Sequence, residues 1–216
     1  MSSNQERVTR GIELESIIIN SSRFINPSGI NIFGLVTDIE IFEHLDMPYL
    51  TGQIAFIDTE RLYDRIFFDG GETVSITLKQ SKSTKIIKKD FVIDHVISTV
   101  KANETSDLIT VHLIEDIAFQ SRLINVNKSY TGSPSSIISS ISTTYLDKDV
   151  DDRGVAYQNK LKLIVPNLQP LDAMCWIKNR MTSDDGMPYY LFSMFDRPNL
   201  ALVDLKELLD QKPFNT

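Results

Sequence analysis

The stretch Thr73-Val74-Ser75-Ile76-Thr77-Leu78-Lys79 alternates polar and apolar side chains without interruption. A period of two places Val74, Ile76 and Leu78 on one face of an extended strand, which is typical of a strand with one buried face. Six runs rich in Ile, Val, Phe and Thr, this one included, cover residues 14–20, 31–42, 51–58, 72–80, 84–99 and 108–114. Six strands without a long helix between them predict an antiparallel barrel or sandwich instead of βαβ units.

The pattern changes after about residue 116 to a mixture of helices and strands. Ser133 followed by Pro134 predicts the start of one amphipathic helix, and Pro170 predicts the start of another. Short strands are predicted at residues 161–165, 189–195 and 200–203. The sequence therefore predicts a mainly β fold with an α+β second part, divided into a β-barrel domain over residues 1–118 and a small α+β domain over residues 119–216.

A second core is predicted between the Pro170 helix and the strand at residues 189–195. Leu171, Met174 and Trp176 are expected to pack from the helix against three strand residues: Tyr190, Phe192 and Met194. An aromatic side chain of this size buries about 150 to 250 Å². Trp176 is therefore expected to contribute strongly to the stability of the second domain.

The composition limits the classes of function. The chain of 216 residues has 22 basic and 29 acidic residues, a formal net charge of −7, and 42% hydrophobic residues, as expected of a folded globular protein. Its apolar runs are far shorter than the roughly 18 residues that span a bilayer, and the polar N-terminal segment lacks the apolar core of a signal peptide. We therefore expect no membrane insertion and no Sec export. The acidic balance disfavours sequence-specific nucleic-acid binding.

Residues that could carry chemistry do not form a recognisable motif. The lone Cys175 cannot form an internal disulfide, and three histidines with one cysteine are too few for a typical zinc site. Asp147, Asp149 and Asp151 have the spacing of a calcium loop, but the glycine and glutamate that an EF-hand requires are absent at the following positions. We predict no enzymatic activity, no catalytic residues, no cofactor and no metal.

A basic segment follows the alternating strand. Lys82, Lys85, Lys88 and Lys89 come after Lys79, with no carboxylate before Lys89. A solvated hairpin tip or a patch that docks on an acidic partner fits this pattern better than phosphate binding, because interleaved aromatic residues are absent. These four lysines are the predicted interface residues.

The order of several segments resembles the baseplate hub protein of contractile-tailed phages of the T-even type. The resemblance begins with Leu50-Thr51-Gly52-Gln53-Ile54-Ala55-Phe56-Ile57-Asp58 and continues into Gly70-Gly71-Glu72-Thr73-Val74-Ser75-Ile76. It resumes at Val165-Pro166-Asn167-Leu168-Gln169-Pro170 and at the helix that contains Trp176. It ends with the last two predicted strands and Leu208-Leu209-Asp210-Gln211-Lys212-Pro213-Phe214, so that it covers most of the chain.

The resemblance implies a structural virion protein with a tube-type barrel. It implies a central hub that joins the tail tube to the spike through a ring of its own copies, a trimer, with the baseplate wedge as a neighbour. DNA would pass through the lumen without specific binding. The location implied is the virion tail, assembled in the host cytoplasm. Hubs of this family are longer and carry a second tube-like barrel, so the chain is expected to correspond to an N-terminal portion of a hub or to a reduced hub.

A carbohydrate- or receptor-binding tail module remains the alternative. Such a module needs exposed aromatic side chains over a polar groove, and the candidates are Tyr49, Tyr130, Tyr157, Tyr189 and Tyr190.

Overall fold

The structure is a computed structural model that describes residues 12–22, 28–59, 61–66, 68, 70–80, 86–153 and 159–210. Its largest element is a seven-stranded sheet. The strands are β1 (Ile12–Asn20), β2 (Ile30–Asn31), β3 (Val36–Phe42), β4 (Thr51–Asp58), β5 (Thr73–Gln80), β6 (Ile86–Lys101) and β7 (Asp107–Glu115). The strand order β2-β1-β5-β6-β7-β4-β3 is linear, so within the described residues the sheet ends at β2 and β3.

The central pairings of this sheet are antiparallel. β1 pairs antiparallel with β2 and with β5, and β5 pairs antiparallel with β6. The predicted fold class, mainly β and antiparallel with an α+β second part, is confirmed.

Short helical segments connect several of these strands. A 3-10 helix, Phe33–Leu35, divides the predicted strand at residues 31–42, and α1 (Leu62–Ile66) follows β4. The Asp58 carboxylate at the end of β4 accepts hydrogen bonds from the backbone N–H groups of Leu62 (2.8 Å) and Tyr63 (2.9 Å). The aspartate that ends the strand therefore also caps the helix.

Two compact units divide the chain and interleave along the sequence. The first combines the described residues up to Ile39 with Ile54–Val111, and the second combines Glu40–Gln53 with the residues from His112 onward. The single boundary between residues 118 and 119 stays a prediction. No helix in the described ranges is long and apolar enough to cross a membrane.

The core of the first unit is formed by the inward faces of its strands. In β4 buried and half-buried residues alternate along the whole strand. Ile17 lies opposite Ile76, and Val74 lies opposite Phe91, with all four side chains fully buried. The alternation read from residues 73–79 is therefore that of the folded strand at Val74 and Ile76, whereas Leu78 is half-buried.

The second unit contains the mixed part of the fold. Its helices are α2 (Asp116–Arg122), α3 (Pro134–Leu146), α4 (Pro170–Lys178) and α5 (Leu205–Leu209). Its strands beyond the large sheet are β8 (Ser129–Gly132), β9 (Val150–Arg153), β10 (Leu161–Ile164), β11 (Tyr189–Ser193) and β12 (Leu200–Asp204). β10 pairs with β8, while β12 lies between β11 and β9. β12 is antiparallel to β11 and parallel to β9.

The predicted start of α3 is confirmed in detail. The Ser133 hydroxyl accepts a hydrogen bond from the backbone N–H of Ser136 (3.3 Å), and Pro134 occupies the first turn. Ile137, Ile138 and Ile141 are buried on one face. A serine cap, a proline and an apolar stripe were therefore sufficient to locate this helix.

The buried residues of β11 in the second core are shifted by one position along the strand from the predicted ones. Leu171 and Met174 are buried in α4, as predicted, but Trp176 is only half-buried and the Arg180 guanidinium carbon lies 3.9 Å from its ring centroid. In β11 the buried side chains are those of Tyr189, Leu191 and Ser193, whereas Tyr190 and Phe192 are half-buried. The prediction that Trp176, Tyr190, Phe192 and Met194 form the core was wrong, because all four side chains are half-buried.

Tyr130 offers a spectroscopic test of the second unit. Burial, together with its hydrogen bond to Tyr145, raises the pKa of Tyr130 to about 12. Because the raised pKa favours the neutral phenol in the folded state, its contribution to stability is complete below pH 10 and is lost as the pH rises toward 12. In an absorbance titration of tyrosinate, Tyr130→Phe should remove a step near pH 12 from the folded protein. Loss of a step near pH 10 would contradict this assignment.

Candidate functional site

A long strand of the first unit extends beyond its neighbour. β6 has 16 residues and β5 has eight. The paired residues of β6 run from Ile86 to Val92, and the N–H of Ile93 donates to the Glu72 carbonyl (2.9 Å) just before β5 begins. Residues 94–101 of β6 therefore continue past the end of β5 and have no β5 residue beside them.

The extended half of β6 exposes apolar side chains. Ile97 is 47% exposed and Val100 is 56% exposed, whereas Phe91, in the paired half, is fully buried. Strand edges and exposed apolar side chains favour pairing with another chain. We define the segment Asp94–Lys101 as the extended half of β6 and treat it as the candidate assembly surface.

The structure separates the predicted interface lysines. Lys88 is exposed, and its Nζ lies 3.7 Å from Asp90 Oδ1. Lys89 is 95% buried, on the face of β6 that also carries Phe91. Lys82 and Lys85 lie outside the described residues. Lys88 and Lys89 therefore do not share one exposed face, and the interface role of the four lysines stays a prediction.

The tyrosines proposed for a sugar-binding groove are mostly covered. Tyr130 and Tyr189 are buried, while Tyr49 and Tyr190 are half-buried. Tyr157 lies outside the described residues. The two buried rings cannot serve as an exposed stacking platform, which disfavours the carbohydrate-binding alternative in its predicted form.

Several polar side chains singled out in the sequence have partners inside the protein. His44 Nε2 lies 2.7 Å from Thr51 Oγ1. Asp151, in the acidic stretch after α3, accepts from Asn199 Nδ2 (2.9 Å) and lies 3.4 Å from Arg153. These bonds hold the first residues of β9 beside the loop before β12. The acidic stretch is therefore part of a strand, which its charge pattern did not indicate.

The single cysteine lies on α4. Burial is the main cause that raises the pKa of the Cys175 thiol above its ordinary value. The nearby carboxylates of Asp172 and Asp46 also raise this pKa, and Lys178 opposes them. A thiol with a raised pKa stays protonated near neutral pH and is a weak nucleophile.

Comparison with known proteins identifies the fold but no sequence family. The chain matches no protein-family model, and no curated protein sequence is significantly similar to it. The 43 kDa tail protein of prophage MuSo2 from Shewanella oneidensis is similar in structure, with a TM-score of 0.56 at 10% identity over 87% of this chain and 54% of that protein. A tail protein from Neisseria meningitidis MC58 is similar with a TM-score of 0.52 at 11% identity, over 89% of this chain and 51% of its own length.

These similarities establish a fold shared with these two tail proteins. The chain spans about half the length of each of these two structures.

Proposed function

We propose that the protein is a structural component of the phage tail that acts at the central baseplate hub and joins the tail tube to the spike. The observation that carries this proposal is the fold shared with two phage tail proteins over 87% and 89% of the chain. The order of the segments that resemble the baseplate hub supports the proposed position at the hub. No catalytic step is part of this function.

Self-association into a ring, a trimer, is proposed to use the extended half of β6. Exposed apolar side chains on a strand that continues past its neighbour favour contact with another chain. Ile97 and Val100 would then be covered by that copy, and burial of their apolar surface would favour the assembly. The open edge at β3 provides a second surface for contact.

The other proposed partners are the tail tube, the spike and the baseplate wedge. Lys88, with a side chain that is 61% exposed, is a suitable contact for an acidic neighbour. A net charge of −7 disfavours tight binding of phosphate groups, so DNA would pass through the lumen without being held. The proposed location is the virion tail, with assembly in the host cytoplasm.

The double substitution Ile97→Glu with Val100→Glu tests the ring. We expect the unmodified protein to sediment as a multiple of 24.5 kDa at micromolar concentration. The variant should associate at least about 100-fold more weakly, because two carboxylates would have to lose water in the contact, a cost of several kcal/mol. Its melting temperature should stay close to that of the unmodified protein, since both side chains are about half exposed in the single chain.

Ile164→Glu is the matched control. Ile164 lies on β10 in the second unit and is 68% exposed, but it is not part of the extended half of β6. This control should associate normally. A monomeric unmodified protein, or a double variant that assembles as well as the control, would contradict the proposed ring surface.

A further inference from the structure

A polar cleft of about 230 Å³ lies in the first unit, where β4 ends and the turn between β6 and β7 begins. Its lining comes from two segments of the chain: Asp58, Arg61, Tyr63 and Asp64 in the first, and Lys101 with residues 104–107 in the second. The volume is below the roughly 300 to 1,000 Å³ that is common for pockets of drug-sized ligands. The cleft is therefore of a size for one side chain or a similarly small group.

Ser106 lines this cleft and has an unmet hydrogen-bonding group. The residue is 95% buried, and within the part of the chain that the structure describes its Oγ has no hydrogen-bond partner. Its carbonyl accepts from the N–H groups of Ala102 (3.0 Å) and Asn103 (3.1 Å), which fixes the residue in the turn. Buried polar groups are normally hydrogen-bonded, so an unpartnered hydroxyl in a cleft points to a ligand.

The charged groups around Ser106 favour a positively charged ligand. The carboxylates of Asp58, Asp64, Glu104 and Asp107 outnumber the two basic groups of Arg61 and Lys101. The Asp58 carboxylate accepts hydrogen bonds from the backbone at the start of α1. In the described structure the other charged side chains of the cleft form no ion pair with one another.

The spacing of the carboxylates distinguishes an organic cation from a metal ion. Among the described residues, no three carboxylates of the cleft have oxygen atoms that all lie within 4.8 Å of one another. A bare metal ion needs oxygen ligands converging at about 2.0 to 2.6 Å. A guanidinium group presents five N–H donors spread over a plane and an ammonium group presents three, so either can reach acceptors that lie further apart. The 39% exposed ring of Tyr63 adds a surface that attracts cations.

We propose that this cleft receives an arginine or lysine side chain of a neighbouring protein. The N–H donors of that side chain bind the carboxylates of Asp64, Glu104 and Asp107 and the Ser106 hydroxyl. Arg61 and Lys101 contact acidic groups beside that side chain on the neighbouring protein. The identification of that neighbour as a tail component rests on the proposed function, whereas the chemistry of the cleft does not.

Titration of the full chain with N-acetyl-arginine amide tests the cleft, with backbone amide NMR shifts as the readout. We expect saturable shifts confined to residues 58–64 and 101–107. N-acetyl-lysine amide should shift the same residues, and N-acetyl-glutamine amide should not. Equal shifts with the neutral glutamine probe, or shifts only elsewhere, would overturn the proposal.

Variants separate binding from folding. The triple change Asp64→Asn, Glu104→Gln and Asp107→Asn should weaken binding of the arginine probe at least tenfold. The matched control Glu15→Gln with Asp38→Asn alters exposed carboxylates of the same unit outside the cleft and should bind normally.

The Ser106→Ala variant tests the unpartnered hydroxyl directly. It should weaken the probe at least threefold with an unchanged or higher melting temperature, because the removed hydroxyl has no partner in the folded chain. A strongly lowered melting temperature would show that the hydroxyl is satisfied internally and would overturn its role.

Two further measurements identify the source of the cation and keep the two proposals apart. Suppose that spermidine binds more tightly than the arginine probe and that the triple variant leaves tail assembly unaffected. The ligand of the cleft would then be a free amine and not a side chain of a neighbouring protein, which would overturn the proposal. Sedimentation of the same samples reports ring formation independently. If the probe binds but the chain forms no ring, the proposal for the cleft stands and the proposed function is contradicted.

Discussion

Replacing Phe91 with alanine is expected to lower the free energy of unfolding by about 3 to 5 kcal/mol. Phe91 is fully buried on β6, directly opposite Val74 of β5, in the middle of the large sheet. Removal of its ring leaves a cavity on the buried face of the sheet. Because hydrogen bonds hold the strands in place, the neighbouring side chains close this cavity only in part. Urea denaturation followed by circular dichroism measures the loss.

Phe33→Ala is the control for this experiment. Phe33 belongs to the same unit but is 45% exposed, so its substitution should cost less than about 1.5 kcal/mol, in proportion to the smaller apolar area buried. A similar loss of stability in the two variants would show that the buried face of β6 has been assigned incorrectly.

Glu115→Ala is expected to destabilise the second unit by about 2 to 4 kcal/mol, because it leaves a buried N–H group without its charged acceptor. Glu115 is 97% buried, and its Oε2 accepts a hydrogen bond from the backbone N–H of Leu50 (3.0 Å). The N–H of Glu115 in turn donates to the Leu50 carbonyl (2.9 Å). The carboxylate thus strengthens a connection between residues 65 positions apart.

The fluorescence of Trp176, the only tryptophan, reports unfolding of this unit in urea. Glu115→Gln keeps an acceptor oxygen at the same position and should lose less stability than the alanine variant. An alanine variant that unfolds at the same urea concentration as the unmodified protein would contradict the role of this carboxylate.

The sequence predicted the parts of the fold whose signals are local. Alternation located β4 at its observed bounds, Thr51–Asp58. Ser133 and Pro134 located α3 because a cap and a proline act within one turn. These features depend on neighbours in the chain, which a single sequence shows directly.

The parts that were missed depend on contacts between distant residues. β9 has the polar sequence Val150-Asp151-Asp152-Arg153, and only its parallel pairing with β12 makes it a strand. The cleft brings Asp58, Arg61, Tyr63 and Asp64 together with Lys101 and residues 104–107, and no spacing rule connects these two groups.

The burial of two further side chains could have been predicted from the sequence. Lys89 is an even number of residues from Phe91 and Ile93, so alternation alone places it on their buried face. Trp176 lies outside the stripe formed by Pro170, Met174 and Ile177, which places it at the side of the helix.

The central position of β12 has a consequence for synthesis on the ribosome. All five residues of β12 are buried, and the strand lies between β11 and β9. In the pairing with β9, Leu200 lies opposite Val150, which is 50 residues earlier in the chain. The inner strand of the three-stranded sheet is therefore translated last. Residues 40–53, which belong to the same unit, emerge long before it. During translation the strands of the first unit can pair first, whereas residues 150–153 cannot form a strand with β12 until residues 200–204 are made.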